Sequence, residues 1–220
     1  MSVATKGNTT NSNQNPNGGS LTVAHNHNTG SDSLLVVQIT MANTTNYSGV
    51  TYDGDSLTQL HNTNRSGLSQ RMAFFYIENP STGSNNVIIS FTGNQFNPIS
   101  VHIRSFTGSG GVGNYERSGA GSTPNNKTID VSDDSLIMIT SCSQQAILTQ
   151  QIPSGTTRTF TTHNTNRQVA TGAISSNAGH SAGTINLRAT TGSGTVSLDR
   201  VEILGLGGSS SSNPDHIFVC

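Results

Sequence analysis

Ser33-Leu34-Leu35-Val36-Val37-Gln38-Ile39-Thr40 is the longest dense aliphatic run in an otherwise polar chain, and its reading decides the fold. Five aliphatic side chains fall between Leu34 and Ile39. A half-exposed strand would alternate with polar residues, so this run predicts a strand buried on both faces. Ser135-Leu136-Ile137-Met138-Ile139-Thr140 repeats the pattern after the same kind of Asp/Ser cluster. Burying each such side chain stabilises by about 1.5–3 kcal/mol, enough for either run to anchor a sheet.

The rest of the composition agrees with an all-β chain. Of 220 residues, 31% are apolar and 24 are glycine, just short of a globular average. A thin core favours sheet-on-sheet packing. Charged residues are only 10%, too few for the outer faces of solvated helices or for a charged disordered chain. With 10 basic and 11 acidic residues and no basic run, no nucleic-acid surface is expected. No apolar stretch approaches the length of a membrane span. Met1-Ser2-Val3-Ala4-Thr5-Lys6-Gly7 lacks the hydrophobic segment of a secretory signal. The Asn/Thr/Gly-rich style nevertheless belongs to proteins that work outside cells, as a virion protein or part of a secreted one does.

Short segments with turn signals every 8–12 residues fill the chain. Ser20–His25 alternates cleanly. Asp53-Gly54 between two alternating segments signals a hairpin. Met72–Ile77, Asn86–Phe91 and Ile99–Phe106 follow, then a Gly/Ser/Asn-rich connector over 108–127. Further strands are expected at Thr128–Val131, Leu136–Thr140, Ala146–Ile152, Thr157–Thr162, Val169–Ser175, Thr184–Ala189 and Val196–Leu204. The expected architecture is an antiparallel, jelly-roll-like β-sandwich over 20–206. A polar N-terminal arm over 1–19 should be flexible on its own, and a tail occupies 207–220. Shifting the chain by the spacing of the two aliphatic runs superposes His61-Asn62-Thr63-Asn64-Arg65 on the identical His163-Asn164-Thr165-Asn166-Arg167. Pseudo-repeated halves, about 20–108 and 128–206, are therefore expected to share one sandwich.

The series Ser31–Val37, Val50-Thr51-Tyr52-Asp53-Gly54-Asp55-Ser56-Leu57-Thr58, Met72–Gly83, Asn86–Gly93 and Ser105-Phe106-Thr107-Gly108 resembles a β-sandwich family of tailed-phage virion proteins and bacterial surface proteins. The likeness covers about residues 20–206 and is closest to a capsid decoration, or cement, protein. It implies a structural role at the capsid surface of a virion, with no catalytic or metal residues to carry over.

The chemistry-bearing residues fit a non-enzyme. His25 and His27 share a strand face, which zinc would accept, but no third ligand has motif spacing nearby. His102, between Val101 and Ile103, is expected to face away from them, outward. His180 and His216 sit among small polar residues. Asp53-Gly54-Asp55 is too poor in acids for a calcium loop and reads as a turn. No nucleophile elbow, phosphate loop or paired carboxylates of distinct environment occur. No catalytic, cofactor or metal residues are therefore expected. Cys142, after an apolar strand, is expected to be a core thiol, and Cys220 ends the chain.

Binding is the better expectation. His61, Arg65, His163 and Arg167, taken as surface loops, would offer donors to glycans or to a protein rim. After Gly207–Asp215, a flexible linker, the chain ends His216-Ile217-Phe218-Val219-Cys220. Ile217, Phe218 and Val219 would anchor on a neighbour as an added strand. The expected partners are further copies of the chain, as a homo-oligomer with a trimer favoured, and a major capsid protein. The alternative is a carbohydrate- or receptor-binding module of a phage tail, fibre or bacterial surface protein.

Overall fold

The computed structural model describes residues 4–14, 16, 18–27, 30–42, 46–65, 70–95, 99–117, 121–122, 125–143, 147–151, 157–158, 169–174, 180–191 and 194–206, which form strands and turns without helix. The first half comprises β1 (Thr5–Gln14), β2 (Gly18–His27), β3 (Leu34–Ala42), β4 (Tyr47–Tyr52), β5 (Asp55–Ser56), β6 (Thr58–Arg65), β7 (Gln70–Glu78), β8 (Gly83–Gln95) and β9 (Ile99–Thr107). The second half comprises β10 (Ser109–Glu116), β11 (Gly121–Ser122), β12 (Asn125–Val131), β13 (Leu136–Ser143), β14 (Ile147–Gln151), β15 (Thr157–Arg158), β16 (Val169–Ile174), β17 (Gly183–Thr191) and β18 (Thr195–Gly205).

These strands make four sheets, ordered β1-β9-β3-β7-β6, β2-β8-β4-β5, β10-β18-β13-β16-β15 and β12-β17-β14, with β11 beside β18. Every pairing within them is antiparallel. The order in the second half repeats that of the first, strand for strand, apart from the β5 and β11 edges.

Three apolar cores stack the sheets into four layers. Leu35, Val37 and Ile39 of β3 meet Leu21 and Val23 of β2 and Val87 and Ile89 of β8 in the first sandwich. Ile137 and Ile139 of β13 meet Ile129, Val131 and Leu187 in the second. Between the sandwiches, Leu34, Val36, Phe74 and Phe106 pack on Leu136, Met138, Val201 and Ile203. Odd residues of β3 and β13 thus face their own sandwich and even ones the partner sandwich. Ser33–Thr40 is buried at every position, as is Ser135–Ser143. The all-β expectation holds, but one shared sandwich does not: each half closes its own. A strand apolar on both faces needs a sheet on each side, which a two-layer sandwich cannot supply.

Both aliphatic strands are entered through an aspartate in the left-handed region, Asp32 (φ 53°) and Asp134 (φ 60°). Aspartate tolerates that conformation better than most residues. Asp53 (φ 53°) and Gly54 (φ 89°) build the β4–β5 turn with positive φ at both central positions, as the hairpin signal requires.

Two segments expected to be unstructured are strands. Residues 5–14 of the N-terminal arm form β1, which pairs with β9 from Thr5↔Thr107 to Gln14↔Ile99. The connector over 108–127 contains β10, paired with β18. Both are sheet-edge strands held by backbone hydrogen bonds, so neither carries the apolar alternation by which strands are found. In β10 glycine is a requirement. A Cβ on Gly113 would collide with the carboxylate of Glu202. That carboxylate is fully buried and accepts hydrogen bonds from Ser132 N (2.6 Å), Ser135 Oγ (2.6 Å) and Asn114 N (2.9 Å), fastening β10 and the β12–β13 turn to β18.

Leu136→Ala is expected to cost about 2–5 kcal/mol by opening a cavity in the middle core. Urea unfolding followed by circular dichroism and by tyrosine fluorescence should still give one coincident transition; separated transitions would show that the sandwiches unfold independently. Gly113→Ala should lower the urea midpoint, while substitution of the open Gly49 should not.

Candidate functional site

Besides the Glu202 cluster, buried polar side chains among the described residues concentrate at two places. The first is the open side of the first sandwich, where β2 of one sheet meets β1 and β9 of the other. Alternation along β2 places His25 and His27 on the same inward face as Leu21 and Val23. Both rings converge on the hydroxyl of Ser105, with His25 Nε2 at 2.8 Å and His27 Nδ1 at 2.8 Å. His25 Nδ1 meets Thr10 Oγ1 of β1 at 2.9 Å. Tyr52 OH donates to the carbonyls of Gly83 (3.1 Å) and His25 (3.4 Å) behind the ring. On the other face of β9, His102 Nδ1 bonds the side-chain carbonyl of Asn11, its directly paired residue on β1. The strand β1 is thus tied by side chains to β2 and to both faces of β9.

One hydroxyl proton serves two rings at Ser105, so the oxygen donates to one nitrogen and accepts from the other. That chain closes with both rings neutral. Burial pushes His25 down to about 4, helped by the positive charges of His27 and Arg104. Burial likewise lowers His27 and, with Arg104 and His25, takes His102 well below its ordinary value. A serine bonded to a histidine is the pairing that nucleophilic catalysis uses. Here Ser105 is fully buried, with no surface at which a substrate could meet it. The arrangement is a hydrogen-bonded fastening. Among the described residues no group of three or more His, Cys, Asp or Glu could hold a metal ion.

The second place is the interface between the sandwiches. His61 of β6 lies with Nε2 3.5 Å from Asp199 Oδ2, its ring stacked on Tyr115 and tilted on Phe74 at centroid distances of 5.9 and 5.0 Å. Gln38, Thr140 and Ser197 are buried along the same faces, so this end of the interface is polar and the other apolar. Cys142 is a buried thiol there, 3.0 Å from the sulfur of Met72.

Several expected placements are corrected. His61 is on a strand and buried, not in a surface loop, because the polar Asn62-Thr63-Asn64 run is edge strand rather than turn. Arg65 ends β6 opposite Gln70. His163, Arg167, Ile217, Phe218 and Val219 lie outside the described residues. His102 does face away from Val101 and Ile103, yet is buried, since β9 is an interior strand covered on both faces. His27 is the last residue of β2, which runs two residues past the expected Ser20–His25 strand. The signal for the histidine cluster was present: His25 and His27 continue the inward phase of Leu21 and Val23.

Asp199→Asn is expected to destabilise the fold by about 3 kcal/mol, because it leaves a buried polar partner uncompensated. The double change His61→Phe with Asp199→Leu should recover most of that loss in urea denaturation; equal losses in both variants would assign the effect to packing alone. No protein-family model matches the chain, and no curated protein or solved structure matches it at a significant level.

Proposed function

We propose that this chain is a structural, adhesive protein of a virion, decorating a phage capsid as a cement protein and acting through subunit–subunit contacts. The observation that carries the reading is the outer face of the sheet β2-β8-β4-β5. Its outward residues are short and uncharged: Thr22, Ala24 and Asn26 of β2, Ser84, Asn86, Ile88 and Ser90 of β8, and Thr51 of β4. They stand in register, Thr22 and Thr51 flanking Ile88, which is 37% exposed. The outer face of β12-β17-β14 differs, carrying Asp130 and Arg188. Covering charged groups costs more than covering hydroxyls and amides, and interface centres are depleted of Lys, Glu and Asp. The uncharged face is the one a large partner can cover at least cost.

The strand order supports the finer reading of each half as a jelly roll and of the two as pseudo-repeats, in keeping with the resemblance to virion sandwiches. The subunit then works as a symmetric oligomer bridging neighbouring capsid proteins, with the segment containing Ile217, Phe218 and Val219 as an added anchor. The same rows of hydroxyl and amide groups favour a second reading, a glycan- or receptor-binding module of a tail or surface protein.

Co-sedimentation with purified capsids separates these readings. Thr22→Lys with Ile88→Glu is expected to reduce capsid binding at least about tenfold, since burying a charge costs more than 1.4 kcal/mol, while unfolding is unchanged. Deleting residues 213–220 should weaken binding further. Specific signal on a glycan array with no capsid binding would replace the first reading with the second.

A further inference from the structure

We propose that β1 is an acid-releasable strand, clasped to the first sandwich by neutral His25, His27 and His102 and freed from β9 when these rings take up protons.

The strand itself has little to hold it. Thr5-Lys6-Gly7-Asn8-Thr9-Thr10-Asn11-Ser12-Asn13-Gln14 contributes no large apolar side chain to any core. Its attachment consists of the β9 ladder, broken by an irregularity between Lys6 and Thr9, and of side-chain bonds. Those bonds include Thr10 to His25, Asn11 to His102, and Asn8 Nδ2 to the carbonyl of Asn26 at 2.8 Å, and the first two run through histidine.

Protonation works against the His25 and His27 contacts; at His102, whose Nδ1 already donates to Asn11, it acts by placing a buried charge beside Arg104. With both nitrogens of His25 and Nδ1 of His27 donating, Ser105 would accept twice and its own proton would lose its acceptor. His27 Nε2 is buried with no hydrogen-bond partner among the described residues. With Nδ1 of the neutral ring donating to Ser105, that nitrogen holds a lone pair, whereas protonation places an N–H donor where no acceptor stands among the described residues, the costlier kind of orphan. Among the described residues, the charges that act on these rings are of one sign. His25 and His27 of β2 meet Ser105 on one face of β9, with Tyr52 of β4 against His25, while His102 and Arg104 lie on the other face; among the described side chains β1 brings Thr10 to the first and Asn11 to the second. Repulsion from Arg104 acts on both His25 and His102, and no carboxylate figures among the charges acting on the three rings. The Asp53 carboxylate acts on Tyr52.

The sign follows directly. A ring whose folded value lies below its unfolded value of about 6.5 contributes its full stability above about pH 6.5 and loses it as pH falls. For His25 the loss runs from 6.5 down to about 4. Strands β9, β3 and β7 of this sheet are fastened by apolar cores that do not titrate, and β6 adds Leu60 on the middle core beside its His61–Asp199 pair, so β1, which has no such core contact, leaves first. Its departure uncovers the edge of β9, an unpaired strand able to take a strand from another chain.

Hydrogen exchange of the full chain, read by mass spectrometry and corrected for the intrinsic pH dependence, tests this. Between pH 7 and pH 4.5, protection of residues 5–14 should fall at least about tenfold, one pKa unit of linkage, while β3 and β13 keep theirs. His25→Gln with His102→Asn should flatten that dependence. Protection of β1 that is unchanged with pH, or lost together with β13, overturns the proposal. Titration of the histidine ring protons by NMR in the unaltered chain decides independently of whether the variant folds: His25 should titrate well below 6.5, and a value at or above 6.5 overturns the clasp.

Discussion

Everything in this fold depends on burying both faces of two aliphatic strands. A strand such as Leu34–Ala42 has apolar side chains pointing in both directions, and one sandwich can cover only one of them. The other must meet a second sheet, and the chain supplies it by setting two sandwiches back to back. The middle core of Leu34, Val36, Leu136 and Met138 is the consequence, and β3 and β13 lie at the centre of both the stack and the strand order.

That arrangement sets where polar groups can go. Strands beside the centre, β9 and β18, are covered on both faces and still carry His102, Asp199 and Glu202. Each is met by a partner: an asparagine on the neighbouring strand, a histidine across the interface, a turn's amide and hydroxyl donors. Strands at the edge need no apolar side chains, because one neighbour and the backbone suffice. So β1 is built of polar residues and β10 largely of Gly with Val112 and Tyr115 on the middle core, and both also draw on side-chain bonds from the buried polar residues to stay in place.

The same logic explains what could be read from residues alone. The double burial of Ser33–Thr40 and Ser135–Thr140, the alternation of β2 and the Asp53-Gly54 turn were legible because each is a local pattern with a single structural meaning. β1 and β10 were not, since neither carries the hydrophobic period that β2, also an edge strand, owes to its apolar inner face. His102 was oriented correctly relative to Val101 and Ile103; what lay opposite was a property of the sheet stack, which no local pattern encodes. The candidate site was half legible. His25 and His27 share the phase of Leu21 and Val23, but Ser105 joins them from a strand some eighty residues away. The tail residues Ile217, Phe218 and Val219 stand outside the described structure, and their place in the fold is argued from composition alone.

The middle core also makes this chain its own dimer. Two sandwiches, each with a hydrophobic face that would be unsuited to water, are joined by a peptide linkage instead of by chance encounter. Their association is intramolecular, so it proceeds at an effective concentration set by the connection and does not weaken on dilution. The chain thereby arrives at any larger assembly with its most apolar surface already spent. Contacts made beyond that must come from faces that can tolerate water when unpartnered, which is what the short, uncharged outer face of β2-β8-β4-β5 provides.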